Sequence, residues 1–390
     1  MSSSHTVRDS KHPLSARVNL LAYFAQRIGL IALGANHAVA QQAEEITPLP
    51  QRQYFSQPHL GTIVQIAFYS NDKEFSQKLA KDCFGQVKKL DKIFSDYRSD
   101  SEVSQLCGKP VKMAHKISKD LFDVIAQAQE ISNTTNGAFD ITLGHTTQNW
   151  RQSARQKKLL LNDDPETSYK DLILDPKSRS ILLRKPLKID LGGIAKGYIA
   201  DQLMMNLSKV GIKQAAVIIG GEMIFTEAPP EKNGWTVGIE RPSREMLGAL
   251  TISNTALSTS GDSYQFFEQG NVRHAHLIDP SSGKPKTNRL NVTTIARSAM
   301  LADAWATALR ISTQENALKL ANETKGIEAT FITFGKPARF TTGFPKLKNF
   351  ISLPQDSDPE SDNNLIANTI RFTELEARQL LWILILAPLS

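Results

Sequence analysis

Segments with strand composition and segments with helical periodicity follow one another along this chain without regular alternation. GTIVQIAFY (61–69) is rich in β-branched and aromatic residues, whereas residues 72–94 repeat apolar side chains at helical spacing. Strand-like runs also come in succession, as in AAVIIGG, WTVGIE and GALTIS. A doubly wound parallel sheet requires strands and helices to alternate strictly, so the sequence predicts an α+β fold.

Local patterns predict further elements. A helix is expected near 119–133 with Ser118 as its N-cap, and another over 194–210, closed by Gly211. A third is expected over 299–312, before a last helix–strand pair that ends in EATFITF. LILD and SILLR predict a hairpin, SDYRSDSEVSQL a polar turn, and NGAFDITLG a turn leading into a short strand.

The N-terminus has the residue order of a secretory signal. Basic residues up to Arg17 precede the apolar stretch VNLLAYFAQRIGLIALGA, and Ala38-Val39-Ala40 supplies small residues in an A-x-A arrangement. A cleaved leader over 1–40 and a periplasmic or secreted location are therefore predicted. A non-cleaved anchor and an ordinary helix are the alternatives, because two polar residues interrupt the apolar stretch.

The C-terminus combines a polar segment with a short apolar one. DSDPESDNN (356–364) is acidic and polar, and LLWILILAPL (380–389) has about half of the length that a bilayer crossing needs. The sequence therefore predicts one folded domain over 41–350 and a polar linker with a short apolar tail over 351–390. A docking helix, a partner surface and a weak association with the inner membrane stay open for the tail.

Charge and cysteine content argue against two classes of function. The net charge is +7, but the cationic residues are scattered and form no block interleaved with aromatic residues, so no nucleic-acid partner is expected. The two cysteines, Cys83 and Cys107, form no C-x-x-C pair, which argues against a zinc or redox site. Free buried thiols are predicted, with a single disulfide as the alternative in an exported chain.

KIDLGGIAKGYIAD (188–201) predicts a strand end, a tight turn and the start of a helix. Gly192 and Gly193 allow a ligand to approach the backbone, and a helix N-terminus offers unpaired N–H groups. The spacing matches neither common phosphate fingerprint, and a carboxylate at Asp190 would repel a phosphate. Asp190 is instead suited to a ring N–H or a ribose hydroxyl, and Lys196 to an anionic part of the same ligand. A structural turn with a surface lysine is the alternative.

LADAWATALRI (301–311) contains a second candidate site. Asp303 and Thr307 stand four residues apart, so on a helix their oxygens lie on the same face. A carboxylate and a hydroxyl suit Mg²⁺, which usually completes its shell with water and substrate phosphate oxygens. A solvated helix face is the alternative.

HLIDP followed by SSGKP predicts a strand that runs into a Pro-Gly turn. His276 and Asp279 are expected to point in nearly the same direction, which gives a candidate base with a carboxylate close by. A structural histidine with its hydrogen bonds satisfied is the alternative.

Taken together, these motifs resemble those of the ApbE family, the FAD:protein FMN transferases. HLIDPSSGKP, NVTTIA and ADAWATAL carry the resemblance. The segments DLGGIAKGYIAD, VIIGGEM, STSGDSY, GAFDITLG and FSDYRSDSEVSQL are similar to other signatures of the family, in the family's order. The resemblance covers about residues 55–335 and implies an α+β fold of mixed sheets with packed helices and a flavin site between them.

The resemblance also implies an activity. Such enzymes bind FAD and Mg²⁺, split the FAD pyrophosphate and place FMN on a Thr or Ser hydroxyl of an acceptor flavoprotein, releasing AMP. Hydrolysis of FAD to FMN and AMP uses the same motifs, so it stays open as an alternative activity. A non-catalytic flavin-binding protein is the alternative from another class, and the retained His276, Asp303 and Thr307 favour an enzyme over it.

Residue roles follow from the matched motifs. His276 is similar to the family's general base, since an imidazole titrates near neutral pH. Mg²⁺ would be held by Asp303, Thr307 and a carbonyl near Gly193. The residues at positions where the family binds FAD are Leu60, Tyr97, Ala138, Phe139, Asp140, Asp190, Lys196 and Ala275. The chain departs from the pattern at Leu60, where the family commonly has Met, and at His145-Thr146-Thr147, where it usually has Pro-Leu.

Overall fold

The computed structural model of this protein describes residues 49–160 and 166–350. The chain divides into two compact units, residues 1–49 and 50–390, and the fold is that of the second unit. The predicted leader (1–40) and tail (351–390) lie outside the described residues and stay predictions. Within the described ranges, no helix is both long enough and apolar enough to cross a membrane.

Helices and strands alternate irregularly along the described ranges. The helices are α1 (Lys73–Phe94), α2 (Glu102–Cys107), α3 (Lys119–Thr134), α4 (Gly144–Gln156), α5 (Ala195–Lys209), α6 (Ala299–Ile311) and α7 (Gln314–Glu323). The first strands are β1 (Arg52–His59), β2 (Thr62–Tyr69), β3 (Ala114–Lys116), β4 (Leu172–Asp175), β5 (Ser180–Leu183), β6 (Ala215–Ile219), β7 (Glu222–Phe225) and β8 (Trp235–Glu240). The remaining strands are β9 (Met246–Ile252), β10 (Thr255–Ser260), β11 (Phe266–Gln269), β12 (Val272–Ala275), β13 (Ile278–Asp279), β14 (Lys284–Pro285), β15 (Leu290–Ala296), β16 (Glu328–Thr333) and β17 (Arg339–Phe340).

An eight-stranded sheet forms the centre of the fold, in the order β1-β2-β6-β7-β10-β15-β16-β17. All its neighbouring strands run antiparallel. Because successive strand residues point to opposite faces, Val64, Ile66 and Phe68 of β2 pack on the helical side, whereas Ala67 packs with the β8–β9 hairpin. Helices on one face of an antiparallel sheet confirm the α+β prediction.

Several local predictions are confirmed. Helix α1 forms within the segment 72–94 as predicted, and Ser118 caps α3 by accepting a hydrogen bond from the Leu121 amide at 3.2 Å. LILD and SILL pair as the β4–β5 hairpin. The two cysteines of the chain are free thiols.

Two segments differ from their predictions. SDYRSDSEVSQL is not only a polar turn, because Ser101 accepts a hydrogen bond from the Ser104 amide at 3.2 Å and so caps helix α2. The end of NGAFDITLG forms a single bridge between Leu143 and Lys188 instead of a strand, and the chain then enters α4. Helix α4 buries only two of its residues, so its sequence lacks the apolar stripe from which a helix is predicted.

Helices α5 and α6 cross in close contact at Gly197. A Cβ atom at this position would lie 2.2 Å from the carbonyl oxygen of Ala299. Asp201 of α5 accepts hydrogen bonds from the amides of Ala299 at 2.7 Å and Met300 at 2.9 Å, and so binds the first turn of α6. The crossing therefore fixes the helix of the predicted flavin lysine against the helix of the predicted metal residues.

We expect Gly197→Ala to lower the midpoint of thermal unfolding. The added methyl group meets backbone atoms, which cannot rotate away, and such overpacking costs about 1–3 kcal/mol. Gly85→Ala is the matched control, because a Cβ there has no neighbour within 4 Å and removing glycine from a helix gains about 0.5–1 kcal/mol. Circular dichroism melting curves of both variants test this, and an unchanged midpoint for Gly197→Ala would contradict the close crossing.

Candidate active site

The carboxylate of Asp190 forms an ion pair with Arg151, a residue that the sequence analysis did not identify. Asp190 Oδ1 accepts a hydrogen bond from the Gly192 amide at 2.7 Å, and Oδ2 accepts one from Arg151 Nη2 at 2.9 Å. Arg151 also pairs with Asp96, and its guanidinium lies 4.0 Å from the ring centre of Tyr97. Asp190 and Tyr97, both predicted to bind FAD, are therefore joined through Arg151. Arg151 lies shortly after His145-Thr146-Thr147, the segment that departs from the family pattern.

Lys196 is held at the start of α5 by two oxygen partners. Its Nζ donates to the Gly192 carbonyl at 3.0 Å and lies 3.3 Å from Glu222 Oε1. Burial acts to lower the pKa of Lys196, but the charges of Glu222 and Asp303 outweigh it, so the net shift of this pKa is upward. The lysine is thus a confined, permanently charged ammonium, and the alternative of a simple surface lysine does not hold.

The three predicted metal residues come together where α5 meets α6. Asp303 is 3% exposed, and its Oδ2 accepts a hydrogen bond from the Gly197 amide at 3.1 Å. A Cβ at Gly193 would lie 3.1 Å from Thr307 Oγ1, so the glycine leaves room beside that hydroxyl. Burial raises the pKa of Asp303, while the Lys196 ammonium opposes the shift.

Hard oxygen ligands of this kind fit Mg²⁺, although the protein supplies only a few of them. In residues 49–160 and 166–350, no group of three or more His, Cys, Asp or Glu side chains is placed to hold a metal. The predicted set has one carboxylate, one hydroxyl and one backbone carbonyl. Mg²⁺ is commonly bound in this way, by one or two carboxylates together with waters and substrate phosphate oxygens.

His276 follows β12, and one of its ring nitrogens contacts a backbone carbonyl. Its Nδ1 lies 3.2 Å from the carbonyl oxygen of Gln265. A carbonyl can only accept, so this contact places the proton of the neutral ring on Nδ1 and the lone pair on Nε2. The Trp150 ring packs edge-on against the imidazole at 6.2 Å between ring centres. The ring is therefore oriented by a backbone carbonyl and an aromatic neighbour.

The surroundings of His276 differ from the prediction in two respects. Burial lowers its pKa to about 4, and the positive charges of Lys196 and Arg310 act in the same direction. The histidine is therefore neutral at pH 7. The sequence had instead suggested that it titrates near neutral pH. Asp279 is paired with Lys286 Nζ at 3.3 Å and accepts a hydrogen bond from Ser281, so the Gln265 carbonyl, rather than this carboxylate, contacts the His276 ring.

This low pKa predicts that acid destabilises the fold through His276. The ordinary pKa of 6.5 applies to the unfolded chain, so the unfolded state binds the proton first as the pH falls from 6.5 to about 4. We expect the native protein to lose about 2–3 kcal/mol more unfolding free energy between pH 7 and pH 4.5 than His276→Gln. Urea unfolding of both proteins at the two pH values measures this, and equal losses would contradict the shift.

Phe139 and Asp140 have different roles in the GAFDITLG segment. The Phe139 ring lies 3.3 Å from the Cβ position of Gly193, so it borders the glycine turn. Asp140 instead uses both carboxylate oxygens within its own loop: Oδ1 accepts from Thr142 at 2.7 and 2.8 Å, and Oδ2 accepts from the Tyr169 amide at 2.9 Å. The structure thus gives Asp140 a loop-forming role, whatever further contact it makes with a ligand.

The remaining predicted flavin residues lie in turns or at the end of a strand. Leu60 occupies the tip of the β1–β2 hairpin with a φ of +55°, a left-handed conformation that costs a non-glycine residue roughly 1–2 kcal/mol. Strain of this kind is often found at ligand sites. Ala275 is fully buried at the end of β12, directly before the histidine, and the Ala138 amide donates to the Thr135 carbonyl at 3.1 Å.

Glu222 was missed as a site residue although VIIGGEM was recognised. It is 5% exposed and opens β7, directly after the glycine pair. Burial raises the pKa of Glu222 to about 8, to which Asp303 adds and against which Lys196 acts. The sequence signal that could have identified Glu222 is a charged residue between the apolar runs VII and MIF.

Comparison with known proteins finds relatives along most of the chain. A family model described as the ApbE family matches residues 60–331. The FAD:protein FMN transferase of Klebsiella pneumoniae (strain 342) is 28% identical over 284 residues, which cover 70% of this chain and 87% of that relative. The enzyme of the same name from Vibrio cholerae (O395) is 29% identical over 282 residues, covering 70% and 84%.

Solved structures extend the likeness to three dimensions. The apo form of the Pseudomonas stutzeri flavinyl transferase ApbE has a TM-score of 0.68 at 26% identity, covering 76% of this chain and 96% of that one. The ApbE protein of Thermotoga maritima also has a TM-score of 0.68 at 26% identity, covering 75% and 97%. The family model spans more than half of this sequence, and the resemblance predicted from the motifs is confirmed. The chain belongs to the ApbE family.

Proposed function

We propose that this protein transfers FMN from FAD to a Thr or Ser hydroxyl of an acceptor protein and releases AMP. The observation that carries the proposal is the convergence at the α5–α6 crossing. The ammonium of Lys196, the carboxylate of Asp303 and the hydroxyl of Thr307 meet beside the side-chain-free Gly193. A confined cation next to hard oxygen ligands suits a pyrophosphate substrate. The curated relatives bear the name FAD:protein FMN transferase, which supports the same reaction.

In this proposal the chain's own residues orient the two reactants. Lys196 pairs with an anionic part of FAD, and Tyr97 and Asp190, held by Arg151, line the flavin site. Nε2 of His276 takes the proton of the attacking hydroxyl. The hydroxyl oxygen bonds to the FMN phosphorus, the bond from that phosphorus to the bridging oxygen breaks, and AMP leaves with the electron pair. A neutral imidazole at pH 7 is the form that this base requires.

Mg²⁺ is the metal that we propose for this reaction, held by Asp303, Thr307 and the backbone carbonyl of Gly193. When bound, it would neutralise charge on the phosphate oxygens and on the departing AMP. The burial of Asp303 supports the assignment, because a buried carboxylate is stabilised by a cation. The buried carboxylate of Asp303 also fits a cation that arrives with the substrate.

Transfer and hydrolysis are separated by the fate of FMN. Purified protein is incubated with FAD, Mg²⁺ and a candidate acceptor, and the acceptor is then analysed by intact mass. We expect a gain of one FMN per acceptor, abolished by EDTA and by replacing the target Thr or Ser with alanine. Formation of AMP without this gain would mean that the protein is an FAD hydrolase, and tight FAD binding with neither product would mean a flavin-binding protein.

We further propose that the protein acts outside the cytoplasm, after removal of its leader. The order of basic, apolar and small residues before Gln41 supports this. N-terminal sequencing of the native protein from separated cell fractions is expected to begin at about Gln41 in the periplasmic or secreted fraction. A cytosolic product that begins at Met1 would overturn the proposal and would weaken the case for an exported acceptor.

A further inference from the structure

Glu222 places a buried carboxyl group in the middle of the eight-stranded sheet. It pairs with Ile219 of β6 on one side and with Ser258 of β10 on the other. Taking a carboxylate out of water costs several kcal/mol unless its oxygens are paired. The centre of a sheet does not require a charge, so the residue calls for an explanation beyond folding.

Only one of its two oxygens has a partner among the described residues. Oε1 lies 3.3 Å from Lys196 Nζ, whereas Oε2 is buried and makes no hydrogen bond within residues 49–160 and 166–350. Native proteins leave few buried polar atoms unpaired, and a water, an ion or a ligand commonly completes those that they leave. Oε2 is thus a buried carboxyl oxygen with no hydrogen-bond partner in the described part of the chain.

The free oxygen lies beside a notch that contains no side chain. Gly220 has a φ of +65°, and a Cβ there would lie 3.5 Å from Glu222 Oε2 and 3.1 Å from Thr62 Oγ1. Thr62 directly follows the strained turn at Leu60, which is proposed to border the flavin. Glu222 therefore stands between that turn and Lys196, so its two oxygens reach two parts of one site.

We propose that Glu222 is a substrate-binding residue whose Oε1 holds the Lys196 ammonium and whose Oε2 accepts a hydrogen bond from an O–H or N–H group of bound FAD. The inference rests on the proposed function, since FAD is its ligand. FAD offers such donors in its ribityl and ribose hydroxyls and in the N–H of the flavin ring. A hydrogen bond to a carboxylate is charge-assisted and stronger than one between neutral groups.

The first test is the FAD affinity of Glu222→Gln. Glutamine has a single carbonyl oxygen, which cannot serve both the lysine and the ligand. Losing a hydrogen bond to a charged group is expected to weaken FAD binding about ten- to a hundredfold. Binding is measured by flavin fluorescence in EDTA, without turnover. The matched control is Glu328→Gln in β16 of the same sheet, where the carboxylate accepts from Thr341 and FAD affinity should stay native.

A double-mutant cycle with Lys196→Met separates the two contacts. If Glu222 acted only by holding the lysine, Glu222→Gln would have no further effect on FAD affinity once the ammonium is gone. The proposal predicts that the substitution still weakens binding at least severalfold in the Lys196→Met background. An effect that disappears in that background would overturn the direct contact and reduce Glu222 to a positioning residue.

The other possible results also test the inference. Native FAD affinity in Glu222→Gln would overturn the inference alone, whereas a native protein that does not bind FAD would overturn the proposed function with it. If Glu222→Gln loses Mg²⁺ affinity by calorimetry while FAD affinity in EDTA is retained, Oε2 belongs to the metal and the FAD contact is wrong. If Glu222→Gln does not fold, Glu222→Asp keeps the charge but withdraws the oxygens, and native FAD affinity in that variant would overturn the inference.

Discussion

Replacing His276 with alanine is expected to slow FMN transfer by about a hundred- to ten-thousandfold, the usual effect of losing a general base. Binding of FAD and Mg²⁺ should persist, because Lys196, Asp303 and Thr307 do not depend on the imidazole. The defect should be partly relieved at high pH, where some of the acceptor hydroxyl ionises without help. Single-turnover transfer, followed by the mass of the acceptor from pH 6 to pH 10, measures both effects.

A neighbouring histidine provides the control for this experiment. His274 lies in β12, two residues before His276, with its ring stacked on Phe267 at 4.9 Å between centres, and its buried Nδ1 has no partner in the described residues. His274→Phe keeps the stacking and is expected to transfer FMN at close to the native rate. Equal rates for His276→Ala and the native protein at pH 7, with chemistry rate-limiting, would make His276 a structural residue. Loss of FAD binding would point to a pocket role and make Asp279 the next candidate base.

Replacing Asp303 is expected to remove the Mg²⁺-dependent activity while sparing much of the FAD affinity. A metal contributes several kcal/mol of transition-state stabilisation, so about a thousandfold loss is expected for Asp303→Ala. Asp303→Asn should lose a similar amount with less effect on stability, because its amide oxygen still accepts from the Gly197 amide. FAD turnover over a range of Mg²⁺ concentrations, with FAD affinity measured in EDTA, tests the expectation.

Thr307 provides matched variants for the same site. Thr307→Ser keeps the hydroxyl that lies beside Gly193 and should retain most of the Mg²⁺-dependent activity. Thr307→Val keeps the shape but removes the oxygen, so it should require a higher Mg²⁺ concentration. Native turnover of FAD by the Asp303 variants in Mg²⁺ would show that the metal assignment is wrong.

Much of the site was accessible from local sequence. The spacing of Asp303 and Thr307 places both oxygens on one face of α6, and the adjacent glycines mark the turn before α5. These features depend on residues a few positions apart, whose geometry is set by the backbone of one element. The cap of α3 at Ser118 was predicted for the same reason. Helix α4 was not, because it has no apolar periodicity to reveal it.

Short local motifs were enough to predict the α+β class and the family, and they also identified candidate residues for the site. Which charges face each other depends on how distant segments pack together. Asp190 meets Arg151, 39 positions away, and Asp303 meets the Gly197 amide, 106 positions away. The low pKa of His276 likewise comes from burial and from cations on other elements, not from its own neighbours in the chain. Local periodicity carries no information about such distances, since electrostatic effects depend on separation in space and on burial.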